Sequence, residues 1–132
     1  MTGREVFEAA LALINERDSR GEYHSDVSDY EENTPRLISL IVARVWGDDC
    51  LVRGIPVNHS SWTAERITSL DTPLPLHEAV CATLPYLLAC LLILEEDRDR
   101  SEYFQGLYVE ARRELIRNFS SAKRKSITDV YF

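Results

Sequence analysis

Five residues between positions 24 and 32, His24, Asp26, Asp29, Glu31 and Glu32, carry the ligand types of a hard-metal site. Calcium loops need oxygen donors at fixed spacing around a sharp glycine; this segment lacks both and reads as a hydrated acidic loop. His59, Ser60 and Ser61 set a base beside two hydroxyls. Nucleophilic catalysis needs a base brought in by folding, usually from a distant segment, and the chain has no G-x-S-x-G elbow. Cys50, Cys81 and Cys90 are odd in number and have no C-x-x-C spacing, so neither a disulfide framework nor a zinc site is expected. Cys81 and Cys90 fall on opposite sides of one expected helix and out of each other's reach, and all three cysteines read as small buried hydrophobes in a reducing compartment. The expectation is a protein that is not an enzyme and takes no cofactor or metal.

The residues that invite a partner lie at the other end of the chain. Lys123, Arg124 and Lys125 form a basic cluster, followed by the β-prone run Ile127-Thr128-Asp129-Val130-Tyr131-Phe132. The cluster is either a solvated flank or a contact for an acidic protein, with nucleic acid behind both because the rest of the molecule repels phosphate. Leaving Val130, Tyr131 and Phe132 in water forfeits roughly 1.5 to 3 kcal/mol for each side chain that could be fully buried. The tail therefore either docks on a partner or folds back on its own domain. Aromatic residues further upstream, Phe104, Tyr108 and Phe119, stand at helical spacing and read as core, not as a platform for stacking bases.

The elements that must carry these residues fit one domain. The chain has 132 residues, 45% apolar and 28% charged, with a formal charge of -7, which argues against a surface built to grip phosphate backbones. Thr2 and Glu5 match a capping box at the head of a first helix reaching about Glu16. Arg17 to Asn33, polar and acidic with Gly21, reads as a loop, with a turn of helix as the alternative. Thr34 as cap and Pro35 at the first helical position open a second helix, whose stripe of Leu37, Ile38, Ile41, Val42, Val45 and Trp46 stops at Gly47. Residues 48–76 are read as an irregular connection, with Cys50-Leu51-Val52 as a short strand and Trp62 as an anchor.

A third helix, His77 to Leu94, is apolar around most of its circumference and is expected to be the centre of the core, kinked at Pro85. At sixteen residues, its apolar run Ala79 to Leu94 is short for a bilayer span. Glu95 to Arg100 forms a solvated corner, and Phe104, Leu107, Tyr108, Ala111, Leu115 and Phe119 stripe a fourth helix. The start of the chain is unlike a signal peptide, so no secretion is expected and the N-x-S matches at Asn58 and Asn118 are accidental. The expected fold is all-α: four main helices around a central kinked helix, an irregular 48–76 connection and an extended C-terminal tail. The division is a helical domain over 1–119 and an interaction tail over 120–132. Met1 to Thr34 holds nine acidic and three basic residues, Glu110 to Lys125 two acidic and six basic, a polarity that favours head-to-tail packing of copies.

One stretch carries a resemblance. Ile67-Thr68-Ser69-Leu70-Asp71, Pro73-Leu74-Pro75-Leu76, Leu84-Pro85-Tyr86-Leu87-Leu88-Ala89, Glu95-Glu96-Asp97, Tyr103-Phe104 through Tyr108, and Ile127-Thr128-Asp129-Val130-Tyr131 occur in that order. Over residues 66–131 the pattern resembles the all-helical head-to-tail connector, or adaptor, proteins that complete the heads of tailed bacteriophages and prophages. The N-terminal half agrees only in having a helix, a gap and a second helix, and Phe132 stands where the family pattern has a short glycine-rich finish. The resemblance implies a ring of copies beneath the portal of a DNA-filled head, assembled in the bacterial cytoplasm and located in the virion neck. Its implied partners are further copies of the chain, the portal protein and a tail-side connector, with no sequence-specific nucleic acid and no membrane, although DNA passes through the ring. It gives Lys123, Arg124, Lys125, Ile127, Val130, Tyr131 and Phe132 a role in those contacts. The alternative function is a small cytosolic helical module that binds one regulatory partner through the same tail.

Overall fold

In the computed structural model the chain is described over residues 1–14, 27–56 and 67–131, the side chains of Val27 and of residues 121–131 apart. Among the described residues five helices follow one another: α1 (Gly3–Ile14), α2 (Val27–Arg53), the single turn α3 (Glu78–Cys81), α4 (Leu84–Ile93) and α5 (Arg98–Tyr131). The described residues hold no strand; the all-α expectation is met.

The first helix opens as its sequence predicts. The Glu5 N–H donates to Thr2 Oγ1 at 3.3 Å and the Thr2 N–H to Glu5 Oε1 at 3.4 Å, the reciprocal satisfaction of a capping box. Val6, Phe7, Ala10, Leu11 and Ile14 are buried on one face. Residues 67–76 strap this helix start. The Arg4 N–H donates to the Leu70 carbonyl at 2.8 Å, the Leu74 N–H to the Met1 carbonyl at 2.9 Å, and Thr2 bridges Pro73 antiparallel.

The second helix is longer than its sequence signals at both ends. Thr34 does not cap: it is fully buried, and its hydroxyl donates back to the Tyr30 carbonyl one turn earlier, so Pro35 lies inside the helix. An interior proline deletes one ladder bond and crowds the carbonyl four residues back. Tertiary contacts offset that cost: Tyr30 is buried, its hydroxyl donates to Glu96, and Glu31 pairs with Arg4 at 3.3 Å. At the other end the chain runs straight through Gly47, and Cys50, Leu51 and Val52 are helical instead of forming a strand. Val45, Asp49 and Cys50, all buried, continue the inward stripe past the glycine. The stop is Gly54, at φ 72°. Its N–H bonds the Leu51 carbonyl at 3.3 Å and the Ile55 N–H bonds the Cys50 carbonyl at 3.0 Å, the paired closure of a Schellman motif.

These two glycines should respond oppositely to alanine. At Gly47 an added methyl meets nothing within 4 Å, and the gain in helix propensity raises stability by about 0.5–1 kcal/mol. At Gly54 the left-handed backbone strains any side chain, and Gly54→Ala lowers stability by about 1 kcal/mol. Thermal unfolding of the two variants checks the signs.

The kink expected at Pro85 takes the form of a break. Ala82 (φ −63°, ψ −21°) and Thr83 (φ −85°, ψ −18°) keep right-handed dihedrals, but the Thr83 N–H reaches only to Val80, three residues back, at 3.0 Å. Pro85 has no N–H to give Cys81 and enters the first turn of α4, where none is needed. The central position is as expected: α4 packs against α1, α2 and α5, with Leu84, Leu87, Leu88, Ala89, Cys90 and Ile93 buried.

The fifth helix starts where Asp97 Oδ1 accepts the Arg100 N–H at 3.1 Å. Arg100 in turn donates from Nη2 to the Ile14 carbonyl at 2.6 Å, satisfying the end of α1. Phe104, Tyr108 and Leu115 are buried, while Leu107 and Phe119 pack partly exposed against the core. The helix does not end near Phe119 but continues to Tyr131, so the tail expected to be extended is helical. Ser120 to Lys125 holds no Gly or Pro, and adding a residue to an existing helix costs far less than starting one. All three cysteines are free thiols and buried, as expected.

Candidate interaction surfaces

Among the described residues no three His, Cys, Asp or Glu side chains are grouped to hold a metal ion. Of the acidic run, Asp29, Glu31 and Glu32 lie on α2 and are exposed; His24 and Asp26 lie outside the described residues, as do His59, Ser60, Ser61 and Trp62. Among the described residues, no helix is long and apolar enough to cross a membrane.

The residues singled out for a partner ride on the last turns of α5. Residues 123, 124, 125, 127, 130 and 131 all belong to that helix, and Phe132 lies outside the described residues. A 34-residue helix is about 51 Å long, and the stretch after Phe119 accounts for about 18 Å of it. Among the residues whose side chains are described, Leu115 and Phe119 are the last of α5 packed against the core. Between them and Tyr131 lies the basic cluster.

A second surface escaped the sequence reading. α2 and the end of α4 leave a depression of about 360 Å³ floored by Leu37, Leu40, Leu91, Leu92 and Leu94. Leu40 is 60% exposed and Leu94 46%, unusual for two leucines lining one depression. Among the described residues its rim carries Asp29, Glu95 and Glu96 against Arg36. The signal in the sequence is Leu40, an apolar residue off the Ile38–Ile41–Val45 stripe.

On another face, Arg112 grips Asp48 with two bonds, Nε to Oδ2 at 2.9 Å and Nη2 to Oδ1 at 3.2 Å. Arg44 sits 5.6 Å over the Tyr108 ring beside them. The hydrogen bonds to Asp48 raise Arg112 further above its ordinary value. Burial and then the Asp48 charge push the Tyr108 phenol up, against the opposing pull of Arg44 and Arg112. Both groups hold their neutral-pH charge states, and the cluster ties α2 to α5.

His77 marks a junction. Its N–H donates to Asp49 Oδ1 at 2.7 Å and its Nδ1 accepts the Ala79 N–H at 3.0 Å, capping α3. Its ring meets Phe119 of α5 edge-on at 6.0 Å. Through these contacts His77 joins the end of α2, the start of α3 and α5.

Set against protein-family models, curated proteins and solved structures, the chain matches none of them.

Proposed function

We propose that the chain is a structural protein, a head-to-tail connector of a tailed bacteriophage or prophage that assembles as a ring beneath the portal and seats the tail. The observation that carries the reading is α5, which runs from the core to Tyr131 and ends in a basic, partly apolar segment. A helical segment that pairs basic residues with apolar ones at helical spacing is the kind of element one chain lays against another. The charge difference between the two ends of the chain favours copies meeting head to tail. The pattern over residues 66–131 supplies the connector identity, and in that setting an overall acidic molecule suits a channel through which duplex must slide without sticking.

The test is the mass of the full chain mixed with its cognate portal protein, read by analytical ultracentrifugation. A multi-copy complex with the portal is expected. Absence of any complex at every concentration and salt tried overturns the proposal, and a one-to-one complex with a non-portal protein favours the regulatory module.

A further inference from the structure

We infer that the acid-rimmed groove between α2 and α4 is the seat for residues 120–131 of a second copy of the chain. The inference rests on the self-assembling role proposed above and names the contact that builds it.

Position comes first. Leu94, Glu95 and Glu96 immediately precede the start of α5, at Arg98. Residues 120–131 lie at the far end of the same continuous helix, about 33 to 50 Å away along its axis. A chain therefore does not fill its own groove with its own tail while α5 stays one helix. While α5 stays one helix, a tail of this kind reaches the groove only from another copy of the chain.

Chemistry comes second. The groove has an apolar floor and a rim with three carboxylates and one guanidinium. The tail has three consecutive cations, Lys123, Arg124 and Lys125, followed by Ile127, Val130 and Tyr131. Those apolar residues stand at i, i+3 and i+4, the spacing by which a helix lays one face into a groove. The cations precede them by one turn, so floor and rim are matched by stripe and cluster in one helical segment. Opposite charges at a rim set orientation and speed encounter, while apolar burial holds the complex.

A contact between two different patches is heterologous: each copy offers one groove and one tail, so the assembly closes into a ring or grows as a filament. That symmetry gives the deciding experiment. One full-length variant, Leu40→Glu, spoils the groove at a position 60% exposed, where the fold is not at stake. A second, Lys123→Glu with Arg124→Glu and Lys125→Glu, spoils the tail. Circular dichroism and thermal unfolding establish that both fold as the unaltered chain does.

In sedimentation velocity at low salt the unaltered chain is expected to grow in mass with concentration, and each variant alone to stay monomeric. Their mixture is expected to form a one-to-one complex that goes no further, because it holds one intact groove and one intact tail. The chain's only lysines are Lys123 and Lys125, so zero-length carbodiimide coupling should join them across copies to Asp29, Glu95 or Glu96. The inference is overturned by an unaltered chain that stays monomeric, by variants that associate as the unaltered chain does, or by a mixture that fails to pair. If the mixture stays apart while the chain still assembles with the portal, the contact named here is wrong and the connector role stands. A mixture that pairs in a chain indifferent to the portal shows the reverse.

Discussion

Leu88→Ala is expected to lower the free energy of unfolding by about 2–5 kcal/mol, toward the upper end of that range. Leu88 is fully buried on a helix of ten residues that is covered by α1, α2 and α5. Collapse around the missing isopropyl group requires one of those helices to shift. α1 is held at its end by Arg100 and at its start by the Leu70 and Met1 bonds, and α5 is held to α2 by the Arg112–Asp48 fork. With its walls anchored, the cavity persists, and the cost of the void adds to the lost transfer energy. Domains of this kind are stable by about 5–15 kcal/mol, so the variant gives up a large share. Leu94→Ala, at a leucine 46% exposed, changes stability by about 0.5 kcal/mol or less. Urea unfolding of the pair checks the contrast: a shifted midpoint with unchanged slope is expected for Leu88→Ala, and a loss under about 1 kcal/mol would mean that α4 is not enclosed.

The same anchoring explains what was legible in the sequence. The stripe of Phe104, Tyr108 and Leu115 and the capping box at Thr2 and Glu5 are local signals that packing reinforces, and both helices appear where periodicity places them. The boundaries of α2 failed because local chemistry lost to tertiary contacts. Thr34 and Pro35 look like a helix start, but the ties of Tyr30 to Glu96 and of Glu31 to Arg4 hold an extra two turns in front of them. Gly47 looks like a stop, but the buried stripe goes on through Asp49, whose polarity hides it from an apolar count. For the candidate surfaces, the basic and apolar residues of the tail stood out by composition, whereas their helical conformation did not, because Ile127 to Phe132 favours a strand when read alone. The groove was invisible for a different reason. α4 is apolar on nearly every side, and periodicity cannot say which side of such a helix lacks a neighbour.

Asp49→Ala is expected to cost about 1–3 kcal/mol, and Asp49→Asn less than half as much. The carboxylate is a core position in all but chemistry: the residue is 1% exposed, one oxygen accepts the His77 N–H at 2.7 Å and the other meets Arg53 Nε at 2.9 Å. The two bonds are unequal in worth. Arg53 is 44% exposed, so water replaces its partner cheaply and the ion pair contributes little. The His77 amide sits at the entrance to α3 and its bond to Asp49 is partly buried, so removing the acceptor strands a donor, which costs about 1–3 kcal/mol. Asparagine keeps an oxygen in place for that amide but loses the charge and turns a donor NH2 toward the exposed Arg53; alanine loses both acceptors and leaves a void. Chemical denaturation of the two variants separates the contributions: an asparagine variant as weak as the alanine variant would assign the stabilisation to the charge pair instead. The expected order makes Asp49 the fastener between the end of α2 and the chain entering α3 and α4, so a carboxylate stands in the buried stripe because a backbone N–H there needs an acceptor that no apolar side chain supplies.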